Sequence, residues 1–310
     1  MFFYLILIGI GIRFIILFLE YGSLFADYAN FYNDAKMFYE GKGISSYTAT
    51  FPHLIPYIVM LANLFKVFGI NYKVVVVVNI IFDLFAFFVL KKYYKDSKVS
   101  LLWLFCPINI LWCGMCHTVV ITNSLLVISF IILDKIIKNI DKFDNKKLLI
   151  KVILFSVVLS IANLFRPIMV VVLIAFFIIL LFKMNNKSKI IKYIIVYSCC
   201  ILVYIGCNKI YFNLEKNYID NSISSVGMGW NLYVGSNVDS NGTWNIEQQS
   251  EFSMVSNEMT PTEVQEYFFD KSIDAYINNG FVKNIKLFWN KSLILMGEQT
   301  LFSCLVFLTI

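Results

Sequence analysis

Long apolar runs recur nine times along the chain, at Phe2–Leu19, Leu54–Phe68, Val74–Leu90, Val99–Trp112, Val119–Leu133, Leu148–Phe165, Ile168–Phe182, Ile190–Phe212 and Leu293–Ile310. In hydrocarbon a run of this kind can satisfy its peptide groups only as a helix, since no water is there to bond them. Several runs fall short of the ~20 residues of an ordinary span, which predicts tilted, broken or re-entrant segments. The whole chain is 59% hydrophobic and 15% charged, well below the roughly 25% charged residues of a soluble domain. The expected fold is therefore an all-α polytopic membrane protein. Phe2–Leu19 lacks a basic leader and a small-residue cleavage site, so it is expected to remain as the first span.

The polar joints orient these runs. Lys91, Lys92, Lys95 and Lys98 form one basic joint, Lys135 to Lys151 a second and Lys183 to Lys192 a third; lysine bias makes all three cytoplasmic. The joints at Met115–His117 and Asn163–Pro167 then face the opposite side, as does the polar segment after Leu214. The net charge of +6 comes from these joints. No continuous basic face is present, which argues against a nucleic-acid partner. One conflict follows. If the first polar loop is extracytoplasmic and both Leu54–Phe68 and Val74–Leu90 cross, the Lys91 joint lies outside. Either Leu54–Phe68, with Pro52 and Pro56 at its start, rests in the interface, or that joint breaks the charge rule. The first alternative is preferred. The expected organisation is a transmembrane bundle over 1–213 with a first extracytoplasmic loop at 20–53, an extracytoplasmic segment at 214–283, and a final membrane segment at 284–310.

The first loop holds the most informative polar stretch. With Ala26–Glu40 on a helix, Asp27, Asn30 and Asp34 fall within roughly 60° of one another. Phe31, Ala35 and Phe38 fill the neighbouring side, with Tyr28, Tyr32 and Tyr39 beside them. Such a helix would lie in the membrane interface and hold its carboxylates at the head-group level; the alternative is a solvated helix whose acids serve solubility.

Basic residues are almost all lysine. The two arginines, Arg13 and Arg166, both sit in or beside apolar runs, where a charge costs at least about 2.5–3.5 kcal/mol. A guanidinium grips phosphate oxygens bidentately and stays charged when poorly hydrated. Arg166 is therefore read as a lipid-phosphate ligand, and Arg13 as either a second one or the partner of an acid. Asp83, alone inside an apolar run, is a structural hydrogen-bonding group, that partner, or a proton relay. His53 either orients a substrate or caps the helix that follows it. The seven cysteines lie in or beside apolar runs and read as small core residues. Cys113-Gly-Met-Cys-His117 has no second ligand cluster, so no metal site is assigned.

In the 214–283 segment, VGMGWNLYVGSNVDSNGTWN combines Gly and Asn with Trp230, Tyr233 and Trp244. Close backbone approach and flat aromatics beside amides such as Asn231 and Asn237 suit sugar rings; an ordinary turn-rich loop with interfacial aromatics is the alternative. Pro261–Asn278 reads as a helix capped by Thr260 or Thr262, with Glu263 and Glu266 in its first turn and Tyr267, Phe268 and Ile273 along one stripe.

These stretches, LFADYANFYNDAKMFYEGKG, TATFPHLIPYIVMLANLFKVFG, NLFRPIMV and GWNLYVGSNVDSNGTWN, together resemble the bacterial membrane glycosyltransferases of the GT-C class, family thirty-nine type. That group includes protein O-mannosyltransferases and lipid A aminoarabinose transferases. The resemblance implies a GT-C-like bundle in the plasma membrane with its site on the extracytoplasmic side. It implies a polyprenyl-phosphate-linked sugar as donor, a glycan, lipid or protein as acceptor, and inverting transfer. Asp27 matches the family's catalytic base, with Asp34 as a second candidate. Arg166, Arg13, His53, Tyr28, Trp230, Asn231, Tyr233 and Asn237 are the expected substrate-binding residues. No cofactor is assigned, and a divalent cation remains an open requirement. Where many relatives carry an acid after the fourth-span proline this chain has Thr122-Asn123, and relatives continue beyond the point that matches Ile310, so a truncated, non-catalytic homologue is an alternative expectation. A transporter or flippase of lipid-linked precursors is another; it predicts symmetry between chain halves.

Overall fold

The structure is a computed structural model and describes residues 2–19, 26–94, 97–140, 145–183, 187–215 and 228–294. Of the expected loop at 20–53, extracytoplasmic segment at 214–283 and final membrane segment at 284–310, residues 20–25, 216–227 and 295–310 lie outside the described residues. Every regular element among those described is helical. In chain order these are α1 (Phe2–Leu19), α2 (Ala26–Tyr39), α3 (Ser46–Thr50), a 3₁₀ turn at Pro52–Leu54, α4 (Ile55–Phe68), α5 (Tyr72–Tyr93), α6 (Ser97–Leu104) and α7 (Pro107–Cys113). Then follow α8 (Val119–Asn139), α9 (Asn145–Phe165), α10 (Met169–Lys183), α11 (Lys187–Glu215), α12 (Gly229–Ser236), α13 (Ile246–Glu258) and α14 (Pro261–Leu293). Four of them, in α5, α8, α9 and α11, are long and apolar enough to cross a membrane. The chain divides into a unit of residues 1–42 and 56–218 and a second unit of residues 43–55 and 219–310.

Five consecutive valines in α5 would favour a strand in water, being β-branched. They are helical here, the conformation that closes every backbone bond within the segment. Asn71 starts α5 by accepting the Lys73 N–H through its side chain. Ile6 of α1 packs with Phe87 and Leu104, and Ile16 with Val76 and Ile80, so α1 and α5 are antiparallel. Asn79, near the start of α5, bonds the loop that leads into α8, while Tyr93 at its end donates to Asp134 near the end of α8. Those two helices are therefore parallel. What connects them is the expected Val99–Trp112 span, which is broken: Pro107 has no N–H to continue α6, and the chain restarts as α7.

A second core joins Leu133 and Ile136 of α8, Leu148, Val152, Phe155 and Leu159 of α9, Phe176 and Leu180 of α10, and Tyr193 and Val196 of α11. Lys183 at the end of α10 donates to the Ile137 carbonyl near the end of α8 (2.6 Å). The lysines that end α5, α8 and α10 and begin α9 and α11 thus gather at one end of this unit, and α2 lies at the other.

The course of α4 follows from two contacts. Tyr57 meets Phe31 and Phe165, and Phe65, eight positions on, meets Tyr32 of α2. Both ends of α4 therefore stay at the α2 end of the bundle, so α4 lies across that end instead of running its length. α5 starts at the α2 end and carries Lys91 and Lys92 to the opposite one.

The second unit is built from α3, α12, α13 and α14. Its centre is a group of rings: Trp230 with Phe252 (4.7 Å) and Phe268 (5.0 Å), Tyr233 stacked on Phe268 (5.2 Å), and Phe51 stacked on Phe252 (5.7 Å). Gln265, fully buried, accepts the Trp230 N–H (3.1 Å) and donates to the Thr50 carbonyl (3.0 Å). Gly229 sits so close to the Gln265 backbone that a Cβ would overlap it. α14 starts with the capping box of Thr260 and Glu263 and with Pro261 in its first turn. It extends past the expected end at Asn278 to Leu293, across a kink at Gly280 (φ 70°, ψ 169°). Of the Gly- and Asn-rich stretch that ends at Asn245, Gly229–Ser236 is helical (α12) and residues 237–245 form turns; α13 follows, capped by Asn245, whose side chain accepts from the Gln248 N–H.

Candidate functional site

At its α2 end the first unit brings together three segments far apart in sequence: α2, the loop from Cys113 to Thr118, and the joint at Phe165–Ile168. The loop is held from below. Asn79 Nδ2 donates to the carbonyls of Cys113 (3.2 Å) and Met115 (2.8 Å), and Tyr72 Oη donates to that of Gly114 (2.7 Å). This fixes His117 among the rings of Trp112 (5.2 Å between centroids), Phe31 (5.6 Å) and Tyr28 (5.7 Å). Phe31 in turn packs on Tyr57 (5.9 Å), and Tyr57 on Phe165 (6.4 Å), the residue before Arg166.

His117 Nδ1 accepts the Val119 N–H (3.2 Å), so the neutral ring carries its proton on Nε2. Burial, and then the positive charge of Arg166, push its pKa down from the ordinary 6.5 to about 4. An imidazole in this position is neutral at physiological pH and offers one N–H. Burial, with the Asp27 charge added, raises the Tyr28 phenol above its ordinary value. Cys116 is pushed up to about 12 by burial, against the opposing bond from Tyr57, which leaves it an unreactive thiol.

The expected site residues separate into three groups. Asp27, Tyr28, Asp34 and Arg166 belong to the cluster just described. Asp27 is exposed in the first turn of α2 and Arg166 is exposed at the helix break made by Pro167. Asp34 is 3% exposed and shares the buried side of α2 with Phe31 and Ala35. The two carboxylates therefore differ in access, although seven residues place them on nearly the same face.

Arg13 is apart from this cluster and does not fit a substrate ligand. It is 0% exposed and paired with Asp83, itself 1% exposed, with both Nε and Nη2 2.6 Å from Asp83 Oδ2. Its Nη1 donates to the carbonyls of Gly9 (2.9 Å) and Leu104 (2.7 Å). Leu104 ends α6, where Pro107 interrupts the helical ladder, so the guanidinium supplies a donor at a broken helix. Of the two alternatives for Arg13, pairing with an acid is the one present, and its four-way enclosure leaves no approach for a phosphate.

His53, Trp230, Asn231, Tyr233 and Asn237 belong to the second unit. His53 sits half-buried in the 3₁₀ turn, edge-on to Phe51 (6.2 Å). Trp230 is corrected from a sugar-facing aromatic to a core one: at 8% exposed, it is packed between Phe252 and Phe268. Asn231 is exposed on α12. Tyr233 donates to Glu251 Oε2 (2.9 Å), and Glu251 also accepts from Tyr267 (2.9 Å) and Lys271. Tyr233 and Asn237 line a cleft of about 500 Å3.

His117 and Trp112 are the residues that sequence reasoning passed over. The cluster CGMCH drew attention as a possible ligand set, and the signal that mattered was a histidine at a predicted helix boundary two residues before a fresh apolar run. Among the described residues no group of three or more His, Cys, Asp or Glu is arranged to hold a metal ion. Comparison of the chain with protein-family models, with curated proteins and with solved structures gives no match in any of the three.

Proposed function

We propose that this chain is an integral-membrane glycosyltransferase of GT-C type, which moves a sugar from a polyprenyl-phosphate donor to a glycan, lipid or protein acceptor outside the cytoplasm. The observation that carries the reading is the meeting of α2, the His117 loop and the Arg166 joint at the end of the bundle opposite its lysines. By the lysine bias, that end faces away from the cytoplasm, where lipid-linked sugars are presented to envelope acceptors.

In this reading Asp27 accepts the proton of the acceptor hydroxyl as its oxygen attacks the anomeric carbon. The bond from that carbon to the phosphate oxygen breaks, with inversion, and the polyprenyl phosphate departs carrying the electron pair. A phosphate leaving group needs no proton, so no general acid is required. It needs charge stabilisation, which the exposed Arg166 supplies as a bidentate partner. His117, neutral and with Nε2–H available, contributes a hydrogen bond without adding a second positive charge. Tyr28 and Trp112 form the apolar wall of the sugar subsite. Asp34, enclosed in α2, acts on the position of that helix and not on the proton.

The test is transfer by purified protein from a radiolabelled polyprenyl-phosphate sugar, wild type beside Asp27→Asn. The reading expects product from the wild type and a loss of at least about 10²-fold in the variant, with unchanged helical content. Equal turnover in the two proteins refutes it.

A further inference from the structure

The polar cleft of the second unit lies where α12, the turn after it, α13 and α14 meet, with Tyr233, Asn237, Asp239, Gln248, Asn279 and Lys283 on its walls. Its volume of about 500 Å3 is within the ordinary range for small-molecule sites. What distinguishes it is the state of its amides. Gln248 is 5% exposed and its Nε2 donates to the Tyr233 carbonyl (3.1 Å). That bond fixes which end of the amide is which, and leaves Oε1 buried without a hydrogen-bond partner among the described residues. Asn279 uses its Nδ2 on the Ser236 carbonyl (2.9 Å), so Oδ1 is its remaining acceptor. Asn237 does the reverse: its Oδ1 accepts the N–H groups of Asp239 (2.9 Å) and Ser240 (3.1 Å), which leaves Nδ2 as a donor.

The cleft thus offers two amide acceptors and a carboxylate from Asp239, interleaved with donors from Asn237 and Lys283. A phosphate or carboxylate ligand only accepts, so it would leave Gln248 Oε1 unpaired and meet Asp239 with like charge. An amine only donates and would face Lys283. Hydroxyl groups do both, and a ring carrying several of them matches an alternating set. The kink at Gly280, between Asn279 and Lys283, requires a positive φ that glycine alone adopts freely, so the wall formed by α14 is shaped at that residue.

We propose that this cleft binds a saccharide, with ligand hydroxyls donating to Gln248 Oε1 and Asp239 and accepting from Asn237 and Lys283. The claim concerns binding alone and does not rest on the transferase reading. It is tested on the purified full chain in detergent by saturation-transfer NMR with free hexoses and N-acetylhexosamines, inorganic phosphate serving as competitor. The expected result is saturation of ring protons in at least one sugar and a Kd weakened at least about tenfold by Asp239→Ala and by Lys283→Ala, as loss of a charged hydrogen bond predicts. Both side chains line the surface of the unit, so far-UV dichroism stays unchanged. Gln248→Met weakens binding likewise, while Asp27→Asn leaves it intact, which separates this claim from the chemistry of the first unit. Absence of saturation for every sugar, full-strength binding in the Asp239→Ala/Lys283→Ala double variant, or displacement of sugar by phosphate would overturn it.

Discussion

Removing one half of the Arg13–Asp83 pair should cost far more than removing both. With Arg13 at 0% and Asp83 at 1% exposure, no solvent screens what is left behind. Asp83→Leu leaves a guanidinium enclosed without its counter-charge, and a broken buried pair typically costs about 3–5 kcal/mol. Arg13→Met leaves the carboxylate and also removes the donor to the Leu104 carbonyl (2.7 Å), for a loss of similar size. In the double variant both charges go. Replacing a buried pair by apolar groups is often neutral or stabilising by about 1–4 kcal/mol, and the orphaned Leu104 carbonyl takes back about 1–3 kcal/mol. The expected net is close to zero. Unfolding of purified protein in mixed micelles, followed by far-UV dichroism, completes the double-mutant cycle. A coupling energy below about 1 kcal/mol, or single losses that simply add, would show the pair to be hydrated and the assignment wrong. The same double variant should retain sugar transfer, since Arg13 is placed here as a structural residue.

Four further outcomes follow from the geometry. Gly280→Ala puts a side chain at φ 70°, ψ 169°, a conformation costing about 1–3 kcal/mol outside glycine. Among the described residues no atom lies within 4 Å of the added methyl, so the loss should appear as lower thermal stability of the second unit. Trp230→Ala should lower stability by about 3–5 kcal/mol, whereas Trp244→Ala, an exposed residue, should have little effect. His117 binds its proton less readily folded than unfolded, so stability should fall as pH drops from 6.5 towards about 4. His117→Gln should flatten that part of the pH–stability curve; an unchanged slope would show the ring to be hydrated. Finally, Asn33→Cys on the exposed side of α2 should react with an impermeant maleimide on intact cells, and reaction only after permeabilisation would reverse the orientation.

The sequence made some of this plain and hid the rest for identifiable reasons. Apolar runs announce helices, and the lysine joints mark the helix ends that gather at one end of the first unit, because both signals depend on local composition. The start of α14 was readable for the same reason, since Thr260, Pro261 and Glu263 act within four residues. The rest depends on contacts distant in sequence. Trp230 in a Gly- and Asn-rich stretch looks like a ligand-facing ring until Phe252 and Phe268 are known to enclose it, and α13 has too weak a stripe to declare itself. Arg13 and Asp83, seventy residues apart, were candidates for each other, but only the Leu104 carbonyl explains why an arginine sits there. α4 resembled a span by hydropathy, Pro52, Pro56 and the lysine bias favoured an interfacial course for it, and its contacts at both ends place it across the α2 end of the bundle. His117 became conspicuous only when α2 and the Arg166 joint surrounded it.

The central claim is that α2, the His117 loop and the Arg166 joint receive a lipid-linked sugar. Photo-crosslinking tests it most directly, using a polyprenyl-phosphate sugar with a photoreactive group on the sugar, wild-type protein in nanodiscs, and peptide mapping of the adducts. The account predicts adducts within residues 26–39, 112–118 or 165–168, lost on addition of excess unlabelled donor. Adducts confined to the lysine-bearing end, or adducts in those segments that excess donor fails to displace, would contradict it.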